Sequence, residues 1–173
     1  MKPNTKQENC DKIHLIKIIY RKGRHMKIGI ASDHGGFQLK EALKAHLIDN
    51  GMEVVDYGCH SKESVDFPDY AKLVGESIIK KENQLGILCC GTGIGMSIAA
   101  NKMKGIRAAV VGDVFSAKAT KEHNNSNILC LGERVTGEGL ACLIVDTWLQ
   151  AEFLGGRHSN RIDGINKLET YYC

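Results

Sequence analysis

At 173 residues the chain is long enough to bury a core of its own as one domain, and its 43% apolar and 25% charged content is the balance of a globular protein in water. The net charge of +3 is uneven: residues 1–25 hold seven Lys or Arg against Glu8 and Asp11, a net +5, so the remainder sums to −2 and argues against a nucleic-acid-binding body. No apolar run is long enough to span a bilayer, and the seven cysteines include no CxxC pair, which argues against a zinc knuckle or a redox motif.

The first segment of note is "IHLIKIIYRKGRHM" (13–26), basic and amphipathic. It suits a helix that touches a membrane or a partner. It equally suits an extension upstream of "MKIGIASDHGG", which reads like a natural start at Met26. It lacks the uninterrupted apolar stretch and cleavage site of a signal peptide. We take residues 1–25 as an extension outside the fold and 26–173 as the domain, with no membrane span and no nucleic-acid partner. Most of the cysteines sit in apolar runs ("LGILCC", "NILCLG", "GLACLIV"), where Cys acts as a small buried hydrophobe. Their odd number without a secretory signal points to a reducing cytoplasm.

From Met26 onward strands and helices alternate. "KIGIAS" (27–32) reads as a strand ended by Asp-His-Gly-Gly, and "FQLKEALKAHLIDNG" (37–51) as a helix with Leu39, Leu43 and Leu47 on one face and Gly51 as its stop. "EVVDYG" (53–58) is a second strand, followed by a polar loop and a helix over 70–82 that sets Leu73 and Ile78 opposite its charges. "LGILCC" (85–90) is a third strand, and a glycine turn leads to a helix from about Ile94. "IRAAVV" (106–111) is a fourth strand, with a helix over 114–123 that stops at Asn124-Asn125. "NILCLG" (127–132) is a fifth. A long helix over 137–156 puts Leu140, Ile144 and Trp148 in register with a Gly pair as its C-cap, and a last helix runs from about 159 to 170. Strands this apolar are covered on both faces, which predicts a five-stranded parallel sheet in a three-layer α/β/α, Rossmann-like sandwich. Ligands in such folds sit just beyond the carboxyl ends of the strands.

Those ends carry "SDHGG", "CCGTGIG" and "GERVTG". The glycine turn is not a nucleotide fingerprint. The dinucleotide pattern needs Gly where Met96 stands, and the P-loop needs Gly-Lys where Met96-Ser97 stand. What remains is a turn whose amides can hold an anion at a helix start, with a thiol just ahead of it that the same field turns toward thiolate. Neighbouring strand residues face opposite ways, so only one of Cys89 and Cys90 can serve. Cys90, which abuts Gly91, is assigned to the turn and Cys89 to the core. Asp33 suits a hydroxyl or a helix cap, and His34 a phosphate or a cap. His123 ends a helix before "NNSN", where it can complement the helix dipole. Arg157 and Arg161, four apart, suit a phosphate dianion together with Arg134, or form a solvated basic face. No metal-ligand spacing is evident among the other histidines, His158 included.

Taken together, "SDHGG", "DFPDYA", "CGTGIGMSIAANK", "IRAAV", "HNNSN" and "GGRHSNR" closely resemble the type B ribose-5-phosphate isomerases, whose family includes the isomerases for galactose 6-phosphate and allose 6-phosphate. The resemblance runs from Met26 to about Leu168. It implies a metal-independent, cofactor-free aldose–ketose isomerase of the pentose phosphate pathway, a homodimer or tetramer with its sites where subunits meet. By position, Cys90 matches the catalytic base, Thr92 a residue that passes a hydroxyl proton, and His123 the residue that opens the furanose ring. Gly91, Gly93, Ile94, Gly95 and Met96 match the turn that holds the enediolate. Asp33 and Asn124 match hydroxyl-binding residues, and His34, Arg134, Arg157 and Arg161 the phosphate-binding set. Phe67 stands where the family commonly has Tyr. Three alternatives stay open: a six-carbon sugar phosphate as substrate, a sugar-phosphate-binding protein without turnover, and a cysteine hydrolase, which needs a base beside the thiol.

Overall fold

The computed structural model describes residues 26–171. The basic extension over 1–25 lies outside the described residues. Five strands, β1 (Lys27–Ser32), β2 (Glu53–Asp56), β3 (Leu85–Cys90), β4 (Ala108–Val110) and β5 (Ile128–Gly132), form one sheet in the order β2-β1-β3-β5-β4. Every pairing is parallel. Six α-helices connect or follow them: α1 (Phe37–Asp49), α2 (Phe67–Ile79), α3 (Ile94–Ala100), α4 (Val114–Asn124), α5 (Glu138–Gln150) and α6 (Arg157–Tyr171). This is the α/β/α sandwich that the alternation predicts. Among the described residues no helix is long and apolar enough to cross a membrane.

The two-residue period of the strands divides the core in two. Ile28, Ile30, Ile87, Cys89, Leu129 and Leu131 pack against Leu39, Leu43 and Leu47 of α1, Ala117 of α4, and Ala141, Ile144 and Trp148 of α5. Ala31, Leu88, Cys90, Ile128 and Cys130 face the other way, onto Ala71 and Val74 of α2 and Met96 and Ala100 of α3. Cys89 and Cys90 thus end up in different layers. Chain order reverses between β1 and β3, so their carboxyl ends form the crevice where such folds hold ligands.

Three expectations are corrected. Leu73 is 43% exposed and Leu140 41% exposed. The faces turned inward are Ala71, Val74, Gly75 and Ser77 on α2, and Ala141, Ile144, Val145, Trp148 and Leu149 on α5. The rotation of α2 follows from close approach, since a Cβ on Gly75 would lie 2.8 Å from Met103 Sδ. The Gly pair does not cap α5, which ends at Gln150. Gly155 and Gly156 instead have positive φ (63° and 54°) and turn the chain into α6. The fourth strand spans only Ala108–Val110, and its free edge is occupied by Asn101, whose side chain accepts from Ala108 N–H and donates to Ala108 C=O, both at 2.8 Å.

Two polar ties hold the layers. Lys40, with no solvent exposure, donates to Asp56 Oδ1 and Oδ2 and to the Cys59 carbonyl, fixing the β2–α2 loop to α1. His46 Nε2 meets Asp146 Oδ1 at 2.7 Å and joins α1 to α5. The hydrogen bond to Asp146 raises the His46 pKa above its ordinary 6.5, against the lowering effect of burial. A raised histidine contributes its stability in full below the unfolded value and loses it as pH rises through the folded one. His46→Gln should therefore cost about 1 kcal/mol near about pH 5.5 and little near about pH 9. Urea unfolding at both values checks this, and an equal cost at each would show that the tie carries no charge.

Candidate functional site

Three strand ends meet around Cys90. After β1, Asp33 caps a single 3-10 turn (His34–Gly36), its Oδ1 accepting from Gly35 N–H at 2.8 Å. The two glycines let this turn press onto β3. A Cβ on Gly36 would clash with the Cys89 carbonyl carbon, and one on Gly35 would lie 3.3 Å from Gly91 N. After β5, Glu133 N–H donates to the Cys90 carbonyl at 2.9 Å and Arg134 N–H to the Gly91 carbonyl at 3.1 Å. The Arg134 guanidinium lies against Gly91, with Nε 3.3 Å from where a Cβ would stand.

Cys90 is 6% exposed and its Sγ accepts from Gly93 N–H at 3.0 Å. Gly93 has φ +79°, and a Cβ there would lie 3.1–3.2 Å from the Cys130 and Leu131 backbone. Only glycine lets the turn fold back so that its amide reaches the sulfur. A backbone N–H thus points directly at the sulfur. Cys89, fully buried, has its pKa pushed up, first by desolvation and then by the neighbouring Cys90 and Glu133. The structure therefore separates the two thiols as the strand period requires. Thr92 is exposed, its Oγ1 accepting from Ile94 N–H at 3.4 Å. The Phe67 ring closes over Gly95, 3.1 Å from its would-be Cβ, and Ile94, Gly95 and Met96 continue the turn into α3. His34 Nδ1 accepts from Val65 N–H at 3.3 Å, which ties the β2–α2 loop to this edge and leaves the ring proton on Nε2.

The remaining candidates lie elsewhere. The eleven residues of α4 run back along the sheet for roughly 16 Å and end beside the amino ends of β4 and β5. There Arg107 Nε donates to the Asn125 carbonyl at 2.9 Å. His123 and Asn124, in the last turn of α4, thus stand at the opposite edge of the sheet from Cys90. With them are Arg157 and Arg161 of α6, Arg161 Nη1 donating to the Arg157 carbonyl at 2.6 Å. A cleft of about 900 Å³ opens at this edge, lined by Asn101, Lys102, Arg107, Asn124, Ile165 and Glu169 among others. Within one chain, Arg134 does not join Arg157 and Arg161, and His123 does not reach Cys90. The thiol–imidazole pair that a hydrolase built on His123 requires is absent from the single chain. Among the described residues, no three His, Cys, Asp or Glu side chains cluster as metal ligands would.

Two residues escaped the sequence reading. Glu133 Oε2 accepts from Leu39 N–H in the first turn of α1 at 2.9 Å, a link across 94 positions that no local pattern signals. His158 stacks on His123, centroids 4.4 Å apart and planes 7° from parallel. Its place between Arg157 and Arg161 was the available signal.

A profile of the family described as Ribose/Galactose Isomerase matches residues 28–165. Ribose-5-phosphate isomerase B of Escherichia coli is 48% identical over 143 residues, covering 83% of this chain and 96% of that protein. The structure of Clostridium thermocellum ribose-5-phosphate isomerase B superposes with a TM-score of 0.85 at 53% identity, over 86% of this chain and all of that one. Ribose-5-phosphate isomerase B of Mycoplasma genitalium, solved with bound ribulose-5-phosphate, gives a TM-score of 0.80 at 43% identity, over 83% of this chain and 96% of that one.

The turn geometry has a direct test. Gly93→Ala should cost roughly 1–3 kcal/mol, from positive φ and from crowding against β5. Gly105→Ala, at φ +82° but with open space around its Cβ, should cost less. Denaturant unfolding of both variants measures the difference, and a Gly93→Ala protein as stable as the wild type would contradict the packing described.

Proposed function

The chain belongs to the ribose/galactose isomerase family, and from that premise we propose that it interconverts ribose 5-phosphate and ribulose 5-phosphate through an enediolate. The observation that carries the reading is the Gly93 N–H on Cys90 Sγ: one short segment supplies both a base and amides for developing charge. The Cys90 thiolate takes the proton from C2 of the opened sugar and returns it to C1. Backbone amides of the 91–96 turn hold the oxyanion as it forms. Thr92, exposed beside the thiol, passes the hydroxyl proton. His123 opens the furanose ring, Asp33 and Asn124 hold hydroxyls, and His34, Arg134, Arg157 and Arg161 hold the phosphate.

These roles are divided between the two edges of the sheet, so the functional unit is a homodimer in which a second copy brings its amino-edge residues to the carboxyl edge of the first. Ile94 and Ile98, one turn apart on α3 and 54% and 59% exposed, offer an apolar face beside the turn for such pairing. The catalytic unit begins at Met26. Cys59, Cys89, Cys90, Cys130 and Cys142 are all unpaired, which fits a reducing cytoplasm.

The substrate assignment is tested by kcat/KM for ribose 5-phosphate, allose 6-phosphate and galactose 6-phosphate, with ribose 5-phosphate expected highest. On that substrate Cys90→Ala should lower kcat by on the order of 100-fold or more, while Cys89→Ala stays near wild type. Higher efficiency on a six-carbon sugar would move the substrate, and normal turnover by Cys90→Ala would remove the base.

A further inference from the structure

We infer that His158 is a positioning residue for His123, and that the stacked pair takes up a proton when a phosphate group occupies Arg157 and Arg161. This rests on the phosphate role proposed above for those two arginines.

The stack is held from both sides. Leu154 N–H donates to the Glu122 carbonyl at 3.0 Å, fastening the α5–α6 connection to the end of α4. The positive φ of Gly155 and Gly156 then turns the chain, and His158 N–H closes onto the Gly155 carbonyl at 3.0 Å. The first turn of α6 is thereby set against the last turn of α4, with the two imidazoles face to face and both half-buried. A flat ring at this distance fixes the plane of His123, and with it the direction in which its nitrogens can exchange a proton with a sugar.

The same geometry controls how many protons the pair holds. Two imidazolium rings stacked at 4.4 Å repel, so the pair carries at most one positive charge easily. Arg157 Nε points at His158 Nε2 at 3.5 Å, an arrangement that needs a lone pair on Nε2 and so a neutral ring. The charged neighbours are Arg157 and Arg161 on α6 and, next to His123 in the chain, Glu122 on α4, whose carboxylate meets Lys118 Nζ at 3.7 Å. The His158 pKa is lowered, first by desolvation and then by His123, Arg157 and Arg161. With the arginines unoccupied, their charge disfavours a proton on His158. A dianion seated on them offsets that charge, and a proton then enters the pair from solvent. Ring opening needs such a proton donor, and in this arrangement the donor is armed by the phosphate of the substrate itself. By linkage, a protonated pair also binds the dianion more tightly.

Sulfate is a suitable probe, because it matches the charge and shape of a phosphate group and does not titrate in the working range. The ring signals of His123 and His158 are followed by NMR from acid to alkaline pH in the full-length protein, with sodium sulfate or with sodium chloride at matched ionic strength, and calorimetry reports whether sulfate binds. The inference expects sulfate to raise the titration midpoint of the pair by about half a unit or more. It expects that shift to vanish in Arg157→Gln/Arg161→Gln. It also expects His158→Phe, which keeps a flat ring, to retain more cyclic-sugar turnover than His158→Ala. Sulfate bound without a midpoint shift overturns the proton coupling and leaves the phosphate role standing. Absence of binding overturns both. Equal turnover by the Phe and Ala variants overturns the positioning role.

Discussion

A helix that follows a parallel strand must run back along the sheet, and that constraint divides this molecule. Whatever follows a strand lies at the carboxyl edge, and whatever ends the returning helix lies at the amino edge. Asp33, Cys90 and Arg134 follow β1, β3 and β5. His123 and Asn124 end α4, and the turn at Gly155-Gly156 keeps Arg157 and Arg161 with them. Each edge is well built, and the groups to which the proposed isomerisation assigns roles are split between them.

At the carboxyl edge the limiting requirement is backbone approach. Gly36 sits on the Cys89–Cys90 peptide, Gly93 on the Cys130–Leu131 peptide, and a Cβ on Gly132 would lie 2.6 Å from Thr92 Cα. Three strand ends therefore crowd around one thiol, meeting at glycines. The sulfur receives an amide hydrogen bond at 3.0 Å, and Glu133 and Arg134 are zipped onto the Cys90 and Gly91 carbonyls. Preorganisation of this kind places amide dipoles before any charge develops, so little has to reorient during reaction. The buried Lys40, holding Asp56 and the Cys59 carbonyl, extends that rigidity to the loop whose Val65 N–H fixes His34.

Much of this was legible in the sequence, for physical reasons. The strands over 27–32 and 85–90 coincide with their expected spans because apolar runs bounded by glycine or polar turns leave little freedom at their ends. The opposite facing of Cys89 and Cys90 follows from the strand period alone. Ile78, Ile144 and Trp148 pack inward as their spacing suggests, but Leu73 and Leu140 turn outward, because helix periodicity does not say that Gly75 must meet Met103. The Gly155-Gly156 pair signals a positive-φ turn, but whether it ends one helix or starts the next depends on the docking of Leu154 to α4. The His123–His158 stack and the Glu133 contact to α1 are tertiary events between distant segments: local pattern carries no trace of the second, and only the place of His158 between two arginines hints at the first.

The division of groups between two edges makes the pairing of copies the centre of the account. Chains carrying Cys90→Ala and chains carrying His123→Ala with Arg161→Ala, each assayed alone on ribose 5-phosphate and then mixed and refolded together, test it most directly. A composite site predicts that each chain alone is nearly inactive. It also predicts that an equal mixture recovers about a quarter of wild-type activity, because half the dimers are mixed and each mixed dimer has one intact site. An equal mixture no more active than its separate components would contradict it, and would place all the working groups of each site within a single chain.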